Sequence, residues 1–500
     1  MKLLFGSDTN KLAGADHLLV LARKSCFGPR ARGSGAFQKL LGKAASALVM
    51  ELGQEAEPGL LGGLATSRTA AGKRLSVGAL ADVTSRHATP ARAEAIRKLV
   101  AGSGLAGTGA NAVLLVLDDE AHVLPAVNAV GRALPTFTNK SQARTPGTLA
   151  VVCATGTGAV LAVEPAVRDI VQQARAAAHL VDTPPTELDP SALAAAAKKL
   201  LRPLRGVSVR EFAGEALLRQ RLGGIHAVGR CARSAPRLLV ASTAARKKGP
   251  HIALVGKGVT YDTGGLHLKS RGHMETMKSD MGGAAAVLGA FAVLAREKLP
   301  CRLSLLLCLA ENAIGPHAYK PDDVLTLHSG KTVEINNTDA EGRLLLADGC
   351  SYAARVLGAD IVLDAATLTG AQGVATGDLH AAVVTNDEAI ETALVSAGRA
   401  SGDLCWALPF APEFYRSEFH SPIADMRNSV KNRSNAQVSC AGEFVHWHLD
   451  GTKARWGHVD LAFPAFRGDR ATGFGVALFV ETVRRLASSR TSEKERLTRA

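Results

Sequence analysis

The chain has 500 residues, 47% hydrophobic and 21% charged, which excludes a disordered chain and is too long for one ordinary core, so two or three domains are expected. Its formal net charge is +14, a balance that keeps a surface solvated and could also attract a polyanion. The basic residues are scattered, with only short clusters such as Arg246-Lys247-Lys248, so charge by itself argues little for nucleic acid.

The 8 cysteines form no C-x-x-C pair and most sit in apolar runs, which points to buried thiols in a reducing compartment. The first ten residues, MKLLFGSDTN, lack the apolar core of a secretory signal. A mitochondrial presequence is left open by ARKSCFGPRARG at 22–33, although Asp8 and Asp16 weaken it. The longest apolar run, 281–295, falls short of the ~20 residues of a membrane span. A soluble, cytoplasmic protein without a membrane partner is expected.

In chain order, HLLVLAR (17–23) and NAVLLVLDD (111–119) read as strands, and residues 89–102 and 122–137 as helices, together an α/β domain. GSGLAG at 102–107 formally matches G-x-G-x-x-G but follows a helix and precedes a strand, the reverse of a dinucleotide fingerprint, so it reads as a loop. Residues 166–181 look like a connecting helix, broken by Pro184, Pro185 and Pro190. The boundaries expected are 1–165 for a smaller N-terminal α/β domain, 166–181 for the connector and 182–500 for a larger domain.

The larger domain alternates strand 251–259, an almost wholly apolar helix 282–299, strand 302–313, helix 341–357 and strand 359–370 with its loop. Such alternation implies α/β/α layers around a parallel or mixed central sheet, with the ligand crevice outside the carboxyl ends of the strands.

Charged residues gather at those ends: Lys257, Asp262, Lys269, Asp280, Asp339, Glu341 and Arg343. Each has an ordinary explanation. Thr338-Asp339-Ala340-Glu341 reads as a capping box, Asp280 as a helix cap, Lys257 as an ion-pair partner of Asp262, and Lys269 as surface. Arg343 resists, because a cation near a helix N-terminus is disfavoured unless it holds an anion. Four carboxylates in one crevice would repel unless cations lie between them. Carboxylates plus a neutral amine, without His or Cys ligands, suit Zn²⁺, Mn²⁺ or Mg²⁺, and bridging carboxylates suggest two ions roughly 3.5 Å apart. H-E-x-x-H, G-x-S-x-G and the phosphate-loop pattern G-x-x-x-x-G-K-[ST] are absent from the sequence.

The blocks VGKGVTYDTGG, MKSDMGGAAAVLGA and NNTDAEGRLLLAD resemble the signatures of the leucyl aminopeptidase (cytosol aminopeptidase) family, over roughly residues 180–480. The resemblance implies a mixed α/β N-terminal domain, a catalytic domain with two zinc or manganese ions, peptide substrates and a homohexamer. It implies that Lys257, Asp262, Asp280 and Glu341 hold a tightly bound metal, and Asp262, Asp339 and Glu341 an exchangeable one. It further implies a metal-bridging hydroxide as nucleophile, Lys269 as stabiliser of the tetrahedral oxyanion, and bicarbonate as general base at Arg343 and Leu368. Lys269, Met277, Thr367, Leu368 and Gly370 would then meet the substrate, with leucine and other apolar first residues preferred. Arg271 and His273 in the loop before Met277 depart from the pattern. Two other classes compete: a nucleic-acid-binding or regulatory protein on the same scaffold, motivated by the charge, and a catalytically silent homologue, for which the intact set Lys257, Lys269 and Arg343 would have no use.

Overall fold

The computed structural model describes residues 1–6, 8–28, 33–105, 108–142, 147–244 and 249–497. The basic cluster 246–248, positions 106–107 of the glycine loop and 29–32 of the presequence-like stretch lie outside them. Two compact units result: Met1–Arg175 with Gly398–Leu404, and Ala176–Ala397 with Cys405–Ala500. The division falls inside the helix Pro165–Asp182. That Gly398–Leu404 belongs with the first unit has no local signal in the sequence.

The first unit carries a seven-stranded sheet, ordered Lys2–Phe5, Thr148–Thr155, Ala110–Leu117, His17–Arg23, Arg74–Leu80 and Gly63–Arg68, with Val160–Leu161 beside Thr148–Thr155. Its inner strands are parallel and buried on both faces, as their continuous apolar runs require. The helix expected at 122–137 spans only Val123–Arg132, and the helix expected from 89 begins at Ala93, after Arg92 takes a left-handed φ of 59°. Pro135 accounts for the first, since the residue before a proline leaves the helical region.

The second unit is built on an eight-stranded mixed sheet. The order is Cys405–Ala407, Ala381–Thr385, Arg455–Asp460, Ile361–Ala366, His251–Asp262, Arg302–Asn312, Arg237–Thr243 and Val207–Ala213. Strand His251–Asp262 is parallel to both neighbours, and its successive residues face opposite layers. Ala253, Val255 and Val259 join a core with Leu344, Leu345 and Leu346 of helix Gly342–Arg355. Gly256 lies against Ala284 of helix Gly282–Leu294, so close that a Cβ would sit 2.6 Å from the Ala284 Cα. Gly283 of the same helix is as tight, its absent Cβ falling 2.1 Å from the Ala365 carbonyl oxygen. Every residue of this helix is buried, which explains why it has no polar face. It ends at Leu294 and not at 299, where Arg296, Glu297 and Lys298 would meet the core. The single described stretch apolar and long enough to cross a membrane, Met277–Leu294, is 89% buried within the fold. No disulfide joins the cysteines, and Cys153, Cys301, Cys308, Cys350, Cys405 and Cys440 are buried.

His448 is fully buried at the end of helix Gln437–Trp447, its Nδ1 paired with the Ser329 hydroxyl at 2.7 Å. Burial pushes its pKa down to about 3. The native ring therefore stays neutral where an unfolded histidine takes a proton near pH ~6.5. Its stabilising contribution is present above that pH and is lost as pH falls towards 3, by about 1.4 kcal/mol per pH unit. His448→Gln is expected to flatten the fall of unfolding free energy between pH 6 and pH 4 by up to one proton's slope, measured by urea denaturation across that range.

Candidate active site

Lys257 and Asp262 lie on one strand, an odd number of residues apart, and a regular strand would turn them to opposite faces. Pairing with Arg302–Asn312 runs in step to Val259↔Ala310 and then shifts, so that Asp262 meets Asn312. One extra residue is thus inserted between Val259 and Asp262, and this bulge brings Asp262 round to the side of Lys257. Asn312 holds it there, donating from Nδ2 to Asp262 Oδ1 at 2.8 Å and to the Thr338 carbonyl at 3.1 Å. Gly264 and Gly265 follow with φ of 83° and 63°, a turn that glycine adopts without strain. The chain then doubles back, Lys269 N–H donating to the Thr263 carbonyl at 2.9 Å.

The amines and acids interlock. Lys257 Nζ donates to Asp280 Oδ1 at 2.7 Å and to the Thr367 carbonyl at 2.8 Å, and lies 3.0 Å from Glu341 Oε1. Its three donors are therefore all engaged. Lys269 Nζ lies 2.8 Å from Asp262 Oδ2 and 2.5 Å from Asp339 Oδ1. The expected pairing of Lys257 with Asp262 is replaced by these two crossed sets, and Lys269 is no surface residue. Asp280 does not cap its helix: Oδ1 accepts the Thr367 hydroxyl at 2.9 Å, and the N-cap is Met281.

Asp262, Asp280 and Glu341 are all buried and offer oxygens within 4.8 Å of one another. Burial, reinforced by Glu341, raises the Asp262 carboxyl, and burial raises Asp280 well above the ordinary range. Asp339 is raised by burial and by Asp262. Burial pulls the Lys257 ammonium down, but Asp280, Glu341 and Asp262 outweigh it and leave it raised. Asp280 Oδ2 is buried without a hydrogen-bond partner among the described residues, and the carboxylates around it offer oxygens beside the Lys257 and Lys269 amines. That donor set fits a hard divalent cation.

The segment 336–349 corrects the capping-box expectation. The helix begins at Gly342 with Glu341 as N-cap, and no side chain caps it. The Thr338 hydroxyl instead donates to the Gly264 carbonyl at 2.7 Å and accepts the His267 N–H at 2.8 Å. Glu341 is drawn to Lys257 rather than back to the cap. Arg343 is buried, donates Nη1 to the Asn428 carbonyl at 3.0 Å, and keeps a buried Nε without a partner. Burial pushes its pKa down to about 10. Leu368, the other residue expected at the anion, spends its N–H on Asp460 Oδ1 at 3.1 Å.

All eleven expected residues line one cleft of about 680 Å³. Met277 enters from the short turn Met277–Ser279, and Thr367, Leu368 and Gly370 from the loop after strand Ile361–Ala366. Phe463 and Phe466 extend its apolar lining. Asn312, Tyr319, Asn428 and Asp460 support the site and were not expected. Tyr319 OH donates to the Thr338 carbonyl at 2.6 Å, and Asp460 also accepts the Thr369 hydroxyl at 2.7 Å. Asn312 and Asp460 close their strands, a position that could have marked them.

Comparison with known proteins makes the chain a peptidase, of the hydrolase class. Residues 175–480 match the cytosol aminopeptidase family, catalytic domain, and residues 42–143 the M17 aminopeptidase N-terminal domain 2. The chain belongs to the cytosol aminopeptidase family. It is 44% identical to the probable aminopeptidase NPEPL1 of Mus musculus over 81% of this chain and 78% of that one. A structure of leucyl aminopeptidase from Trypanosoma brucei in complex with bestatin superposes with a TM-score of 0.87 at 34% identity, covering 97% of this chain and 95% of that one. The bottromycin maturation enzyme BotP in complex with Mn superposes with a TM-score of 0.77 at 28% identity, over 95% and 100% of the two chains.

Gly342 shows how tightly the centre is built, since a Cβ there would lie 2.4 Å from Lys257 Cε. Gly342→Ala is expected to cost about 1–3 kcal/mol of stability in urea denaturation, as overpacking does. It should also lower kcat/KM by at least about tenfold in a peptide hydrolysis assay, because Lys257 must move.

Proposed function

We propose that the chain is a metal-dependent aminopeptidase that removes N-terminal residues from short peptides, leucine and other apolar residues foremost. The observation that carries the reading is the buried trio Asp262, Asp280 and Glu341, with Asp280 Oδ2 unpartnered. Lys257, Asp262, Asp280 and Glu341 would hold one divalent ion, zinc or manganese, and Asp262, Asp339 and Glu341 a second. The Mn complex of the structural neighbour BotP supports a metal in this fold. When bound, the two ions supply Lewis acidity for the scissile carbonyl and acidify water at neutral pH.

The chain's own groups do the rest. Lys257 could act as a ligand only as the free amine, so holding a metal would require it to give up the proton that here serves Asp280 and Glu341. Lys269 keeps its proton, held raised by Asp262 and Glu341 against burial, and donates to the oxyanion that forms at the attacked carbonyl. Arg343 would hold a bicarbonate ion through its free Nε, and that ion would supply a general base beside the attacking water. Met277, Leu368 and Gly370 shape the cleft for the first side chain, beside Thr367, whose hydroxyl and carbonyl are committed to Asp280 and Lys257. A homohexamer, a cytoplasmic location and a smaller N-terminal domain 1–165 joined by the helix 166–181 to a catalytic domain 182–500 complete the reading.

Glu341→Ala is expected to abolish hydrolysis of leucyl substrates, a loss of about a thousandfold or more, and to lower the metal content of the purified protein. Chelator treatment should have the same effect on wild type. Full activity in either would refute the reading.

A further inference from the structure

One wall of the cleft is unused by this chemistry. Residues 429–437 form it, contributing Ser429, Arg433 and Gln437 to the lining. Glu418 holds the segment: its carbonyl accepts Lys431 N–H at 3.0 Å, Oε2 accepts Asn432 N–H at 3.0 Å, and Oε1 accepts Asn435 Nδ2 at 2.8 Å. Asn432 Oδ1 in turn accepts Ser434 N–H at 3.0 Å, and the Asn435 carbonyl accepts the Cys440 thiol at 3.3 Å. The backbone on both sides of Arg433 is pinned. Arg433 itself is exposed, and its guanidinium makes no hydrogen bond or ion pair among the described residues.

The acids that line the cleft have other partners, Glu275 accepting the Gly272 N–H at 2.7 Å. Asp280 and Glu341 are matched to Lys257, and Asp262 and Asp339 to Lys269. Glu418 is taken up by Asn432 and Asn435. Arg433 stands close enough to Arg343 for the two charges to repel. A guanidinium carried on pinned backbone, without a partner among the described residues, is suited to a planar carboxylate, which it can bind through two parallel N–H groups. It would repel the amine end of a peptide, so it belongs to the half that leaves. A cleft of about 680 Å³ also suits a ligand of a few residues rather than a long chain.

We propose that Arg433 binds a carboxylate carried by the leaving half of the substrate, so that the enzyme favours short peptides with a carboxylate just beyond the scissile bond. The inference rests on the aminopeptidase reading. That carboxylate can be the C-terminus of a dipeptide or an acidic side chain of the second residue.

Three substrates separate the possibilities for the metal-loaded enzyme: Leu-Gly, its C-terminal amide, and Leu-Glu amide. Arg433→Gln is expected to raise KM for Leu-Gly by about fivefold to tenfold, leaving its kcat and both constants for Leu-Gly amide little changed. A parallel rise for Leu-Glu amide assigns an acidic side chain to the same arginine, whereas no rise there leaves the C-terminus as the ligand. Arg433→Lys should restore part of the Leu-Gly affinity. Equal losses on all three substrates, or no rise in KM for either carboxylate-bearing one, would overturn the proposal. Wild-type enzyme that cleaves none of the three, the amide included, would instead overturn the aminopeptidase reading.

Discussion

Everything in the second unit answers to one constraint: three carboxylates, Asp262, Asp280 and Glu341, are buried within 4.8 Å of one another. Like charges so close and so dry repel strongly, and a fold keeps them only where cations are fixed among them. Lys257 and Lys269 are those cations in this structure, each between two acids. The arrangement is self-consistent as an ion network, yet Asp280 Oδ2 is left unsatisfied. The oxygens of Asp262, Asp280 and Glu341 form a group that could hold a metal ion.

Holding such a cluster requires backbone with little freedom. With Asp339 added, the four acids come from the end of strand His251–Asp262, the turn before helix Gly282–Leu294, and two points on the approach to helix Gly342–Arg355. Both helices press on the sheet through residues that tolerate no side chain, Gly283 against Ala365 and Gly342 against Lys257. Behind them, Asn312, Tyr319 and Thr338 converge on one stretch of backbone and hold Asp262 and Asp339 in register. Asp460 does the same for the loop that carries Thr367 and Leu368. The Thr338 hydroxyl is spent on this scaffold, three residues ahead of the N-cap Glu341.

Arg343 is the residue whose local context was hardest to reconcile with a plain helix start. In the structure its buried side chain has one backbone acceptor and one free donor. Arg433 lines the same cleft but is exposed, so the two arginines differ in depth.

The alternation of apolar strands and helices, the glycines at the turns and the charged residues after each strand were legible from local pattern, because period and turn chemistry are properties of neighbouring residues. So was the gathering of Lys257, Asp262, Asp280, Asp339, Glu341 and Arg343 at one edge, since parallel strands deliver their carboxyl ends to the same side. The pairing within that group was not legible. Lys257 and Asp262 sit at an odd spacing that a regular strand would divide between two faces, and only the bulge against Asn312 unites them. The supporting shell from Asn312, Asn428 and Asp460, and the orphaned atoms of Asp280 and Arg343, likewise depend on contacts between residues far apart in the chain. Sequence determined which groups come to the cleft. Tertiary structure decided which of them touch, because register, burial and desolvation exist only once the strands have paired.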